Sequence, residues 1–128
     1  MQEEGAAGSA VPMARLTTHV LDTTHGCPGT GIAIDLYRLD GEQRQLLAQA
    51  VTNADGRCDA PLLEGEAFRA GIYELHFHAG DYYRRRGSSL AEPAFLDVVV
   101  LRVGLSGEGH YHVPLLVSPY GYSTYRGS

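Results

Sequence analysis

The sequence predicts an all-β fold, an antiparallel β-sandwich of about eight strands with one short helix near residues 80–87. Three observations predict it. Apolar residues recur with period two along most of the chain, as they do on strands whose successive side chains face opposite ways. Clusters of Gly, Pro, Asn and Asp interrupt that pattern roughly every 8–12 residues, the spacing of a sandwich. One segment, "AGDYYRRRGSSL" (79–90), lacks alternation and has few β-branched residues, and it accommodates about two helical turns.

The elements follow in order. Residues 1–12, "MQEEGAAGSAVP", are acidic and rich in Gly and Ala, and read as a flexible extension ahead of a domain spanning 13–128. They lack the positive start and apolar centre of a signal peptide. Met13 reads as an alternative start or a fusion remnant. "LTTHVLD" (16–22) is the first strand, with Leu16, Thr18 and Val20 on one face and Thr17, His19 and Leu21 on the other. "THGCPGTG" is a loop. "IAIDLYRL" (32–39) is a strand, "DGEQ" (40–43) a hairpin turn, and "RQLLAQAVT" (44–52) the returning strand. "NADGR" (53–57) turns again, and "CDAPLL" is a further strand whose Pro suits an edge or an end. "GIYELHFH" (71–78) precedes the helix, and "AFLDVVVLRV" (94–103) follows it as a strongly β-prone strand. The last two strands lie in "GEGHYHVPLLV" and "SPYGYSTY", joined tightly at Ser118-Pro119. The C-terminus is therefore tied into a sheet, where chain ends otherwise fray.

A chain of 128 residues is about one domain long and can bury roughly two-thirds of its unfolded surface. Its net charge of −5 gives no basis for nucleic-acid binding, and Arg84-Arg85-Arg86 reads as a solvated run. No apolar run reaches the roughly 20 residues that span a bilayer. All 10 basic residues are Arg, so chemistry that needs a lysine amine is excluded. Cys27 and Cys58 lack metal-type spacing and read as idle thiols in a reducing, cytoplasmic compartment. Phosphate-cradling loops, dinucleotide fingerprints and Gly-x-Ser-x-Gly elbows are absent.

The histidines carry the chemistry. His76 and His78 share one strand face, as do His110 and His112, with about 6.6 Å between members along the strand. Two such pairs could ligate zinc, could sit idle on half-polar strands, or could serve a metal-free His/Arg site. Arg57, at a turn just before a strand, could clamp a planar anionic ligand. The tail adds the hydroxyls of Ser123, Thr124, Tyr125 and Ser128, together with Arg126.

"TTHVLD", "DGR" and "HYHVPLLVSPYGYSTYRGS", in this order, resemble the transthyretin/5-hydroxyisourate hydrolase family from about Met13 to Ser128. The ending "YRGS" resembles the hydrolase branch rather than the hormone carrier of the same fold. The resemblance implies a transthyretin-like (prealbumin-like) sandwich and a homotetramer, a dimer of dimers with sites in the channel between dimers. It implies hydrolysis of 5-hydroxyisourate to 2-oxo-4-hydroxy-4-carboxy-5-ureidoimidazoline, without metal or cofactor. Carried over residue by residue, the catalytic group would be His19, Arg57, His112 and Ser128. His19 and Arg57 would also bind substrate, with Tyr125 and Thr124. Either His19 or His112 would be the base. Cys58 departs from the family, which often has Pro after this Arg. A transthyretin-like carrier of an aromatic ligand and a zinc-dependent hydrolase remain the alternatives.

Overall fold

The protein's structure, a computed structural model, describes residues 14–127. The expected extension over residues 1–12, Met13 and Ser128 lie outside the described residues. Two sheets face each other. The first has the order β2-β1-β8-β9, from β1 (Arg15–Asp22), β2 (Cys27–Pro28), β8 (His110–Ser118) and β9 (Gly121–Thr124). A short β5 (Leu63–Glu64) pairs with the start of β1. The second sheet has the order β4-β3-β6-β7, from β3 (Ala33–Asp40), β4 (Gln43–Val51), β6 (Gly71–Phe77) and β7 (Val99–Leu105). Between β6 and β7 comes α1 (Ala79–Arg85), within the span expected to be helical.

Alternation decides what each strand buries. Leu16 and Val20 of β1, Ile34 and Leu36 of β3, Tyr73, Leu75 and Phe77 of β6, and Leu115 and Val117 of β8 are all inaccessible to solvent. They interdigitate between the sheets, and each large apolar side chain so buried contributes roughly 1.5–3 kcal/mol.

Three expectations need correction. The sandwich is not wholly antiparallel: β1 and β8 run parallel, with Thr17 opposite His112 and His19 opposite Pro114. Period two reports which side chains share a face but not the direction of the neighbouring strand. The strand expected over residues 94–103 begins only at Val99. Its first residues instead serve the helix: the Gly80 N–H donates to the Asp97 carbonyl at 2.8 Å, and Arg84 reaches the Asp97 carboxylate. "CDAPLL" forms no full strand either. Pro61 has no N–H for a ladder, and only Leu63 and Glu64 pair with β1.

Buried acids pin the elements that frame the first sheet. Asp22, at the end of β1, is fully buried and accepts hydrogen bonds from Tyr82 and Tyr83 of α1, each at 2.8 Å. His25 Nδ1 lies 2.6 Å from the same carboxylate. Burial would raise the Asp22 carboxyl, but the bonds from His25, Tyr82 and Tyr83 outweigh it and hold the group below its usual range. On the outer face of the second sheet, Glu74 bonds to Arg44 of β4, His76 of β6 and Arg102 of β7. Those bonds, Arg44's foremost, hold its carboxyl at about 2. His78 bonds to Asp35 at 2.9 Å.

Candidate active site

The parallel register of β1 and β8 builds a polar patch on the outer face of the first sheet. Leu16, Thr18 and Val20 turn into the core, so Arg15, Thr17 and His19 face outward. On β8, Tyr111 and Val113 turn in, and His110 and His112 face outward. Thr17 Oγ1 sits between the two imidazoles, 2.9 Å from His110 Nε2 and 2.8 Å from His112 Nδ1. The His19 and His112 rings lie 6.4 Å apart between centroids.

Arg57 reaches this patch on a tight turn. The Asn53 side-chain carbonyl accepts from the N–H groups of Asp55 and Arg57, and the Asn53 N–H donates to the Arg57 carbonyl at 2.7 Å. Such Asx geometry is the local preference of Asn at a turn. Gly56 completes the turn with φ +76, and the Val20 N–H donates to its carbonyl. An added Cβ at Gly56 would meet the Val20 carbonyl at 2.4 Å, so both conformation and space demand Gly. The turn thereby lies against β1, where Arg57 forms a bridge with His19.

A cavity of about 400 Å³ opens beside these groups, lined among others by Arg15, Thr17, Arg57, Asp59, His110 and His112. His19 borders the group one outward position along β1 and is not part of the cavity lining. Burial, and then the Arg57 guanidinium, push the His19 imidazole below its ordinary value, with a hydrogen bond to the Asp55 backbone acting the other way. Burial, Arg57, His19 and His110 likewise lower His112. Both rings thus favour the neutral form, which can accept a proton. Cys58 also lines the cavity, and its thiol is raised by burial, so it is a weak nucleophile.

The tail is tied to β8 by side-chain and backbone contacts. Thr124 Oγ1 donates to the Pro114 carbonyl at 2.7 Å, and the Gly127 N–H donates to the His112 carbonyl at 2.7 Å. The Arg126 guanidinium lies 4.0 Å over the Tyr111 ring. Tyr125 is 61% exposed, and with Thr124 it lines a separate apolar hollow of about 240 Å³ beside β7. Of the residues singled out in the sequence, His19, Arg57 and His112 come together on one face, whereas Thr124 and Tyr125 stand away from the cavity.

The two His-x-His pairs lie on different sheets, and the carboxylates of Glu74 and Asp35 occupy His76 and His78. Among the described residues, no group of three or more His, Cys, Asp or Glu is placed to hold a metal ion. Sequence reasoning passed over Thr17. Its position two before His19 put it on the outward face, but its contact with β8 depends on a register that periodicity cannot supply.

A profile described as the HIUase/Transthyretin family matches residues 16–127. The 5-hydroxyisourate hydrolase of Pseudomonas aeruginosa is 66% identical over 124 residues, covering 96% of this chain and 98% of its own. The chain belongs to the HIUase/Transthyretin family. Solved structures in the HIUase/Transthyretin fold superpose closely. An (S)-allantoin synthase gives a TM-score of 0.86 at 45% identity over 93% of this chain, which spans 45% of the synthase's length. A sea bream transthyretin in complex with thyroxine gives 0.79 at 28% identity, over 88% of this chain and 94% of its own. The family thus holds both enzymes and a ligand-binding protein.

Proposed function

We propose that this protein hydrolyses 5-hydroxyisourate, opening its six-membered ring by water attack on a cyclic amide carbonyl. The observation that carries the reading is the convergence of His19, Arg57 and His112 on one sheet face beside a cavity. Water is a poor nucleophile at neutral pH, so a base must take its proton, and a neutral imidazole at His19 or His112 does so while the other orients the substrate. Arg57 pairs with the electron-rich oxygens of the oxidised purine and stabilises the charge that develops on the carbonyl oxygen. Tyr125 and Thr124, which stand away from this chain's own cavity, hold the flat substrate of a neighbouring chain in the assembly, and the Ser128 hydroxyl bonds to substrate or to the catalytic imidazole. The reaction places the protein in purine breakdown, as a step of urate degradation. Two free thiols, Cys27 and Cys58, support a reducing, cytoplasmic setting.

Generating 5-hydroxyisourate in situ from urate and following its decay tests this directly. The protein should accelerate the decay, and EDTA should leave the rate unchanged. No acceleration would favour the carrier reading, in which an aromatic ligand is held without chemistry. Activity that EDTA abolishes and zinc restores would favour the metal-dependent one.

The lowered imidazoles set the pH dependence. Because His19 and His112 lose their protons below the ordinary value of about 6.5, kcat/KM should hold through that pH and fall only on further acidification. The Arg57 charge disfavours the imidazolium, so Arg57→Gln should raise both imidazoles and move the acid limb to higher pH. An unmoved limb in that variant, measured with the fold intact, would remove both imidazoles from the rate-controlling step.

We also infer a homotetramer, a dimer of dimers. Phe95 and Tyr120 are 70% and 65% exposed and stack at 5.9 Å between centroids, apolar surface that an isolated sandwich leaves in water. Exposed Tyr125 then meets substrate across the channel between dimers. Sedimentation at micromolar concentration should give four chains, and a stable monomer would exclude the assembly.

A further inference from the structure

We propose that Thr17 and His110 form a proton relay behind His112, holding His112 in the tautomer of a base and conducting a proton from it towards solvent. The inference rests on the hydrolytic reading above and deepens it.

A hydroxyl has one proton and two lone pairs, so Thr17 Oγ1 can donate to at most one of its two imidazoles. The choice decides what His112 can do. If Thr17 donates to His112 Nδ1, that ring carries its proton on Nε2 and has no free lone pair. If His112 Nδ1–H donates to Thr17, Nε2 is free to take a proton from water. Thr17 then donates to His110 Nε2, and His110 carries its proton on Nδ1. His112 is a base only where it donates from Nδ1, and the arrangement in which Thr17 donates on to His110 also aligns the chain His112, Thr17, His110 in one direction.

The chemistry needs such an exit. His112 Nε2 takes one proton from water, and the oxygen's electron pair forms the bond to the carbonyl carbon. When the ring C–N bond breaks, its electron pair stays on nitrogen, which takes the second proton of the attacking water as the new carboxyl group ionises. Each turnover therefore leaves one proton in excess, the one held on His112. His112 faces His19, His110 and Arg57, and burial together with these neighbours makes a lasting imidazolium there costly. The Nδ1 proton of His112 passes to Thr17 Oγ1, the Thr17 proton passes to His110 Nε2, and His110 loses its Nδ1 proton to water. His110, the first residue of β8, is half-buried and lines the cavity with Arg15 and Asp59. Once product has left, the reverse transfer resets the chain: His110 Nδ1 takes a proton from water, His112 Nδ1 is reprotonated through Thr17, and the His112 Nε2 proton passes to water in the cavity.

Three variants and a spectrum test the relay. Thr17→Val keeps shape and removes the hydroxyl, and should lower kcat about 10- to 100-fold with KM changed less than about twofold. Thr17→Ser should regain most of that rate. His110→Gln can still accept from Thr17 but cannot carry a proton onward, and should lower kcat about 10-fold. The double variant should be no slower than Thr17→Val, because the two act as one unit. Independently of activity, imidazole nitrogen NMR should find His112 protonated at Nδ1 in the wild type and in mixed tautomers in Thr17→Val.

Unchanged kcat in Thr17→Val, failure of Thr17→Ser to recover, a harmless His110→Gln, or wild-type His112 protonated at Nε2 would each overturn the relay. Failure of the wild type to accelerate 5-hydroxyisourate decay would instead overturn the hydrolytic reading, while the NMR result would still report the tautomer.

Discussion

His112→Ala is expected to lower kcat/KM for 5-hydroxyisourate by about 10²–10⁴-fold, the usual worth of one general acid–base group. His112 is the point where the patch converges. Its Nδ1 meets Thr17, its ring neighbours His19 and His110, and its backbone carbonyl receives the tail. Alanine removes the ring and leaves the carbonyl in place, so the Gly127 hydrogen bond and the β1–β8 ladder survive. The thermal midpoint should shift by only a few degrees, as for a partly exposed side chain whose loss opens no core cavity. His78→Gln is the control. His78 sits on the second sheet with Asp35, and this variant should keep the wild-type rate. Equal damage from both substitutions would mean that the sheet, rather than the imidazole at 112, is what the reaction needs.

Gly127→Val is expected to reduce kcat/KM by about 10²-fold, the scale of a misplacement near 1 Å in an active site. An added Cβ at 127 would lie 2.9 Å from His112 Cδ2 and 3.3 Å from its Cβ. Real Cβ atoms do not approach that closely, so the ring or the tail must move. Moving the ring breaks its alignment with Thr17. Moving the tail breaks the Gly127 N–H bond to the His112 carbonyl and carries Arg126 off Tyr111. Both routes leave the core untouched, since what a Cβ at 127 meets is the outward-facing His112 side chain. Thermal unfolding should therefore match the wild type, and Gly127→Ala should fall between the two in activity. A fully active Gly127→Val would show that the tail does not rest on His112 during turnover.

Much of this was legible in the chain itself. Period-two alternation in "LTTHVLD", "IAIDLYRL" and "GIYELHFH" set strands and inner faces, and the buried sets Leu16/Val20, Ile34/Leu36 and Tyr73/Leu75/Phe77 agree with it. The unpatterned "AGDYYRRRGSSL" located the helix. His19, Arg57 and His112 could be named before any coordinates because their motifs surround them at recognisable positions, and family membership is borne out by the match over residues 16–127.

Contacts between distant segments were not legible. The direction of β8 relative to β1, the Asp22 bonds to Tyr82 and Tyr83, and the ties of Glu74 to Arg44 and Arg102 join residues far apart in the chain. Thr17 is the sharpest case. Its alternation revealed only that it faced outward, and its partner His112 lies 95 positions away. Likewise, nothing local distinguishes His110 in the cavity from His78 bound to Asp35, since both begin or end a His-x-His pair. A sequence specifies a side chain's face through its own backbone repeat. Which groups then meet across strands depends on register and strand direction, and those are fixed only when both apolar faces are buried together.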